Sequence, residues 1–175
     1  MENLTDLTWT RNDKINKSFS NFDCLIWGEN SNLRLICSKN ASQQDLEDCQ
    51  ANSLEMVRRI NTGKEQIIDF IMDTEDNIFE LAQEWLVPLE KTFRNGAYYY
   101  KNEQGALIPR KLTKQEFRKY IFINSVEIRE TSIELIADII IKTVPDCFSD
   151  HFVELFIIRD FNSNRYQMSL NGIVC

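Results

Sequence analysis

The sequence predicts an α+β fold built from an N-terminal β-hairpin, two main helices and a C-terminal antiparallel sheet of about four strands. Three patterns lead there. Short apolar runs flank a cluster of turn formers near the N-terminus, apolar residues recur every three or four positions through residues 46–86, and β-branched and aromatic residues dominate the chain after Tyr120.

At 175 residues, 43% hydrophobic and 27% charged, the chain has the size and composition of one globular domain. A polar arm is expected over residues 1–20 and a single α+β domain over 21–175. The hairpin comes first: 22–27 and 33–37 are apolar runs, and Gly28-Glu-Asn-Ser-Asn32 between them is rich in turn formers. Ser42 precedes Asp45 by three residues, a capping arrangement, and Leu46, Cys49, Ser53, Met56, Val57 and Ile60 mark one face of a helix that Gly63 stops. A second helix is expected from Lys64 to Pro88, with Ile67, Ile68, Ile71, Ile78, Leu81, Ala82, Trp85 and Leu86 on its inner side. The stretch from Arg94 to Pro109 holds two glycines and the Tyr98-Tyr99-Tyr100 run without a sustained period, which reads as a loop with one short strand. Thr113-Lys-Gln-Glu116 is a capping box for a short helix carrying Phe117 and Tyr120.

Four strands follow, over 121–129, 132–142, 152–159 and 166–174, and an antiparallel arrangement is the simplest way to connect them. Simple alternation in the first places Phe122, Asn124, Val126 and Ile128 on one face, and Ile121, Ile123, Ser125 and Glu127 on the other. The helices are expected to cover the more apolar face.

Composition also limits function. Residues 1–20 lack an apolar segment and no stretch approaches a membrane span, so a cytoplasmic protein is expected, with no membrane partner. Cys24, Cys37, Cys49, Cys147 and Cys175 are odd in number and scattered, which reads as reduced, small core residues. The net charge is −7, and it is uneven: −9 over residues 1–90, +6 over 91–120 and −4 over 121–175. An acidic body of this kind disfavours nucleic acid as a direct partner, because phosphate binding needs a basic surface. The basic segment, with Arg110, Lys111, Lys114, Arg118 and Lys119 near the three tyrosines, is better matched to internal salt links or to a partner's acidic rim.

A catalytic constellation is hard to assemble. His151 is the only histidine, which removes every zinc motif that needs two, and no glycine-rich phosphate loop or nucleophile elbow occurs. Neither a catalytic residue, a metal nor a cofactor is called for, and the chain is read as a non-enzyme. Two weaker arrangements stand as alternatives: a Cys147–His151 nucleophile and base, and a small metal-dependent hydrolase using Asp146, Asp150, His151 and Glu154. A structural or regulatory module is a third. The clearest signal is electrostatic. Asp69, Asp73, Asp76, Glu80 and Glu84 fall at spacings of four, three, four and four, which on one continuous helix stacks five carboxylates along the outer face. Such a stripe suits docking of a strongly basic protein, since complementary fields steer encounter.

The order of Trp85, Leu112-Thr-Lys-Gln-Glu-Phe117, Asn124-Ser-Val-Glu-Ile128, Phe148-Ser-Asp-His151 and Ser169-Leu-Asn-Gly172 resembles a bacterial domain-of-unknown-function family, number twenty-two sixty-two, over roughly residues 20–174. His151 and Gly172 fit the pattern, while Asp150 stands where the pattern has glycine. The resemblance implies a solitary cytosolic domain of the immunity-protein kind, which neutralises a cognate toxin. Acidic proteins of that kind face basic toxins, nucleases among them.

Overall fold

The computed structural model describes residues 8–12, 14, 17–38, 41–74 and 78–174. Among them, the first half of the chain forms β1 (Thr10–Asn12), β2 (Lys17–Ile26), β3 (Glu29–Ser38), α1 (Gln43–Thr62), α2 (Lys64–Asp73) and α3 (Ile78–Leu86). The second half forms β4 (Glu90–Arg94), β5 (Ala97–Lys101), β6 (Leu107–Pro109), α4 (Lys114–Arg118), β7 (Ile121–Glu130), β8 (Glu134–Thr143), β9 (Phe152–Asp160) and β10 (Arg165–Val174). The α+β class holds, but the sheet content exceeds the four strands and one hairpin expected.

The hairpin and the C-terminal strands are one sheet. Its order is β1-β2-β3-β7-β8-β9-β10, and every neighbouring pair is antiparallel except β3 and β7, which run parallel from Asn32 opposite Ser125 to Ile36 opposite Arg129. The β2–β3 turn is tighter than the turn-former cluster suggests. Trp27 and Gly28 alone make it, at φ 56° and 89°, the two-residue geometry whose twist matches that of paired strands, so Glu29 to Asn32 belong to β3. The pairing also extends backward: β1 and the first residues of β2 fall within the stretch read as a polar arm.

Simple alternation fails in β7. The β7–β8 register slips between Ile123 and Ser125, so Asn124 is an extra residue. The bulge shifts the phase of every side chain beyond it. Ile121 and Ile123 before it and Val126 and Ile128 after it all point into the core, together with Leu135, Ala137, Ile139 and Ile141 of β8 and Val153, Leu155 and Ile157 of β9. The hydroxyl of buried Ser31 donates to the Ile123 carbonyl at 2.6 Å, supplying a partner where the ladder is interrupted.

Helix α1 lies across the covered face. Its inner residues are Leu46, Cys49, Ser53, Met56, Val57 and Ile60, and the Ser42–Asp45 capping box closes its N-terminus. Trp27 fastens the hairpin turn to its far end, with the indole N–H on the Ile60 carbonyl at 2.9 Å and the backbone N–H on Asn61 at 2.8 Å. Near the other edge of the sheet, on the same face, Arg159 of β9 reaches Glu55 at 2.9 Å, and Arg59 stacks over Tyr166 of β10 at 3.8 Å. The expected second helix is two helices. Thr74 is extended at φ −70° and ψ 162°, ending α2, and α3 begins at Ile78. The run Asp73-Thr-Glu-Asp-Asn77 explains the break, since it offers weak helix formers, adjacent like charges and no apolar residue to hold it to the core.

A three-stranded antiparallel sheet, β4-β5-β6, replaces the loop expected over 94–109. Asn95 and Gly96, at φ 51° and 80°, turn β4 into β5. Phe79 of α3, Phe117 of α4 and Phe148 of the β8–β9 loop form a chain of rings, with centroids 5.6 Å and 6.3 Å apart, that ties the helices to that loop.

The bulge makes a specific prediction. Asn124 is exposed, so Asn124→Ala should change stability by no more than ~0.5 kcal/mol. Deleting Asn124 should cost at least ~3 kcal/mol in urea unfolding, because Ile121 and Ile123 then turn out of the core.

Candidate functional site

The acidic residues singled out by spacing do not form one stripe. Asp69 and Asp73 lie on α2, Glu80 and Glu84 on α3, and all four are exposed; Asp76 lies outside the described residues. Asp69 is not a spare charge. Arg118 of α4 binds it at 2.5 Å and Glu65 at 2.6 Å, so two carboxylates of α2 hold a basic residue of the segment that follows. The acidity is instead a property of the whole helical stretch: residues 42–86 contain eleven acidic and three basic residues, a net −8 that exceeds the charge of the entire chain. Asp45, Glu47, Asp48 and Glu55 of α1 add exposed carboxylates to the same layer.

The basic segment is divided by its strands. Tyr98 is exposed, Tyr99 half-buried and Tyr100 buried, so the three rings make no continuous stacking platform. Tyr98 pairs instead with Phe93 across the β4–β5 hairpin at 4.8 Å, with the Arg110 guanidinium 6.0 Å from its ring.

The alternative catalytic cluster is assembled in part. Residues 142–146, Asp150 and His151, with Gln104, Ala106 and Leu107, line a cavity of about 530 Å³. Asp146, Asp150 and His151 lie on its wall, but Glu154 does not. Its carboxylate receives the Asn171 amide at 2.5 Å and interacts with Asp138 on the sheet face away from the helices. Among the described residues, no three His, Cys, Asp or Glu side chains are grouped so as to hold a metal ion. Cys147 and His151 do not form a nucleophile and base either. Burial pushes the Cys147 thiol up to about 11, and its sulfur faces the Pro145 carbonyl at 3.4 Å. The His151 Nδ1 meets the Phe148 and Ser149 carbonyls at 3.1 Å and 3.0 Å, and two carbonyl partners require that nitrogen to carry hydrogen.

The loop around the cavity is tightly specified. Asp146 accepts from the Phe148 and Asp150 amides at 2.8 Å and 2.7 Å, and the Gln104 amide bridges Asp146 and Asp150 at 3.3 Å and 3.2 Å. Ser149 and Asp150 are held at φ 51° and 67°, the left-handed region that favours glycine. Trp85 of α3 meets the His151 ring at 4.7 Å, edge to face.

Family models, curated proteins and solved structures were compared with the chain, and none matches. Of the described helices, none is long and apolar enough to cross a membrane. Cys37, Cys49 and Cys147 are buried, Cys24 is half-buried and all four are free thiols, while Cys175 lies outside the described residues.

One charged group was invisible in the sequence. On the sheet face opposite the helices, Arg34 of β3, Glu127 and Arg129 of β7 and Asp138 of β8 form loose ion pairs at 3.4 Å, 3.7 Å and 3.9 Å around a concavity of about 220 Å³. The Nε of both arginines and Oδ1 of Asp138 are buried without a hydrogen-bond partner. Loss of solvent and the nearby Glu154 and Glu127 carboxylates raise Asp138 to about 6, outweighing Arg129. The folded state therefore holds this proton more tightly than the unfolded chain, so stability contributed by protonated Asp138 declines as pH rises from about 4 to 6. Asp138→Asn should flatten that decline and stabilise the protein by ~1–2 kcal/mol at pH 7, measured by urea unfolding across pH.

Proposed function

We propose that this chain is a binding protein whose helical layer docks a strongly basic protein, and that it acts as an immunity-type inhibitor of a basic toxin domain. The observation that carries the reading is the net −8 of residues 42–86, together with the exposed carboxylates that α1, α2 and α3 carry. A charge density of that size accelerates encounter with a cationic surface and repels acidic competitors. A nuclease cleft fits this description, because it is basic toward its own anionic substrate. The resemblance to the immunity-protein-like family supports the same assignment.

Asp73, Glu80 and Glu84 are the residues to test, because all three are exposed on α2 and α3. With the product of the adjoining toxin-like gene as partner, affinity is expected to fall at least tenfold between 50 and 200 mM salt. Reversing all three to lysine should lower affinity at least a hundredfold by titration calorimetry, mainly through slower association. Binding that ignores both salt and charge reversal would sink the proposal.

A further inference from the structure

The cavity at the end of β8 has a chemistry of its own. Its volume, about 530 Å³, falls within the ~300–1,000 Å³ typical of small-molecule sites. Its lining is apolar at Leu107, Val144 and Pro145 and carries polar or charged groups at Lys142, Asp150 and His151. Their hydrogen bonds show which groups remain available. Asp146 is used by two backbone amides and Gln104, and Thr143 by the Cys147 amide at 2.9 Å, so both are structural. Asp150 gives only one carboxylate oxygen to Gln104. In the neutral imidazole, a proton on Nδ1 facing the two carbonyls leaves Nε2 of His151 as an acceptor. Lys142 has no ion pair among the described residues and brings a positive charge to the same lining.

The geometry points to a binding site for a free α-amino acid with an apolar side chain. Its carboxylate pairs with Lys142, its ammonium donates to Asp150 and His151, and its side chain lies against Leu107 and Pro145. A ligand with one charge of each sign engages both Lys142 and Asp150, whereas a simple carboxylate or a simple amine engages only one of them. The Asp150 amide on Asp146 at 2.7 Å and the Gln104 amide on its carboxylate at 3.2 Å position Asp150 before any ligand arrives.

Thermal unfolding and titration calorimetry of the full chain with a panel of free L-amino acids would test this. Leucine, isoleucine or phenylalanine should raise Tm by roughly 5–10 °C at a hundredfold excess over Kd. The matching amine and the matching carboxylic acid should each bind at least tenfold more weakly. Lys142→Met should lose binding at least tenfold. Asp150→Gly should do the same while keeping the fold, because glycine occupies the left-handed position without strain. The site is overturned if no amino acid shifts Tm at 10 mM, or if binding survives both substitutions.

Discussion

The architecture depends on the parallel pairing of β3 with β7. Antiparallel strands can be joined by two residues, but parallel neighbours need a long return path. Here that path is everything between Ser38 and Ile121, which includes all four helices of the described chain and the small three-stranded sheet. Once the N-terminal hairpin is fixed beside β7, the helices must pass over one face of the sheet to reach the far strand. Trp27 on Ile60 and Asn61, and Arg159 and Tyr166 on Glu55 and Arg59, then tie the C-terminal half of α1 to strands at both sides of the sheet. Ser31 and the Asn124 bulge keep the junction in register, so a local irregularity is what allows a non-local connection.

Placing all the helices on one face divides the charges of the molecule between two surfaces. The helices present mostly exposed carboxylates to solvent, whereas the opposite sheet face mixes both signs at short range and half-buries them. Exposed like charges generate a long-ranged field that salt weakens. Partly desolvated opposite charges do not; they interact locally, and where one carboxylate too many is present it takes up a proton, as Asp138 does at about 6. The long-ranged electrostatic field therefore belongs to the helical layer, and sensitivity to pH belongs to the sheet.

Much of this fold was legible where local rules decide it. The six inner residues of α1, both capping boxes and the four C-terminal strands follow from spacing alone, because burial of one face and satisfaction of terminal amides are local demands. Asn95-Gly96 was a readable hairpin signal, obscured because β4 and β5 are largely exposed and lack apolar alternation. The bulge in β7 was not legible, since the choice of Asn124 as the extra residue is made by register with β8 and by Ser31. Nor was the end of α2: Ile71 and Ile78 share a helical face at that spacing, yet the four polar residues after Asp73 provide nothing to bury. Of the acidic candidates, Asp69, Asp73, Glu80 and Glu84 are exposed, but spacing could not reveal that Arg118, forty-nine residues from Asp69, pairs with one of them.

The cavity beside His151 was the least accessible to sequence reasoning, because its lining comes from segments about forty residues apart. The sequence supplied Asp146, Asp150 and His151 as neighbours, and proximity along the chain suggested chemistry among them. Their actual bonds assign different roles. Asp146 folds the loop, Gln104 clamps that loop to the small sheet, and the carbonyls of Phe148 and Ser149 fix the histidine's tautomer. A group spent on holding a loop is unavailable for a substrate, so the residues left with unused capacity are those that matter for binding. Lys142 is among them although no motif marks it, for strand β8 carries it to the cavity's edge as a consequence of the same register that buries Ile141 and Thr143 on the other face.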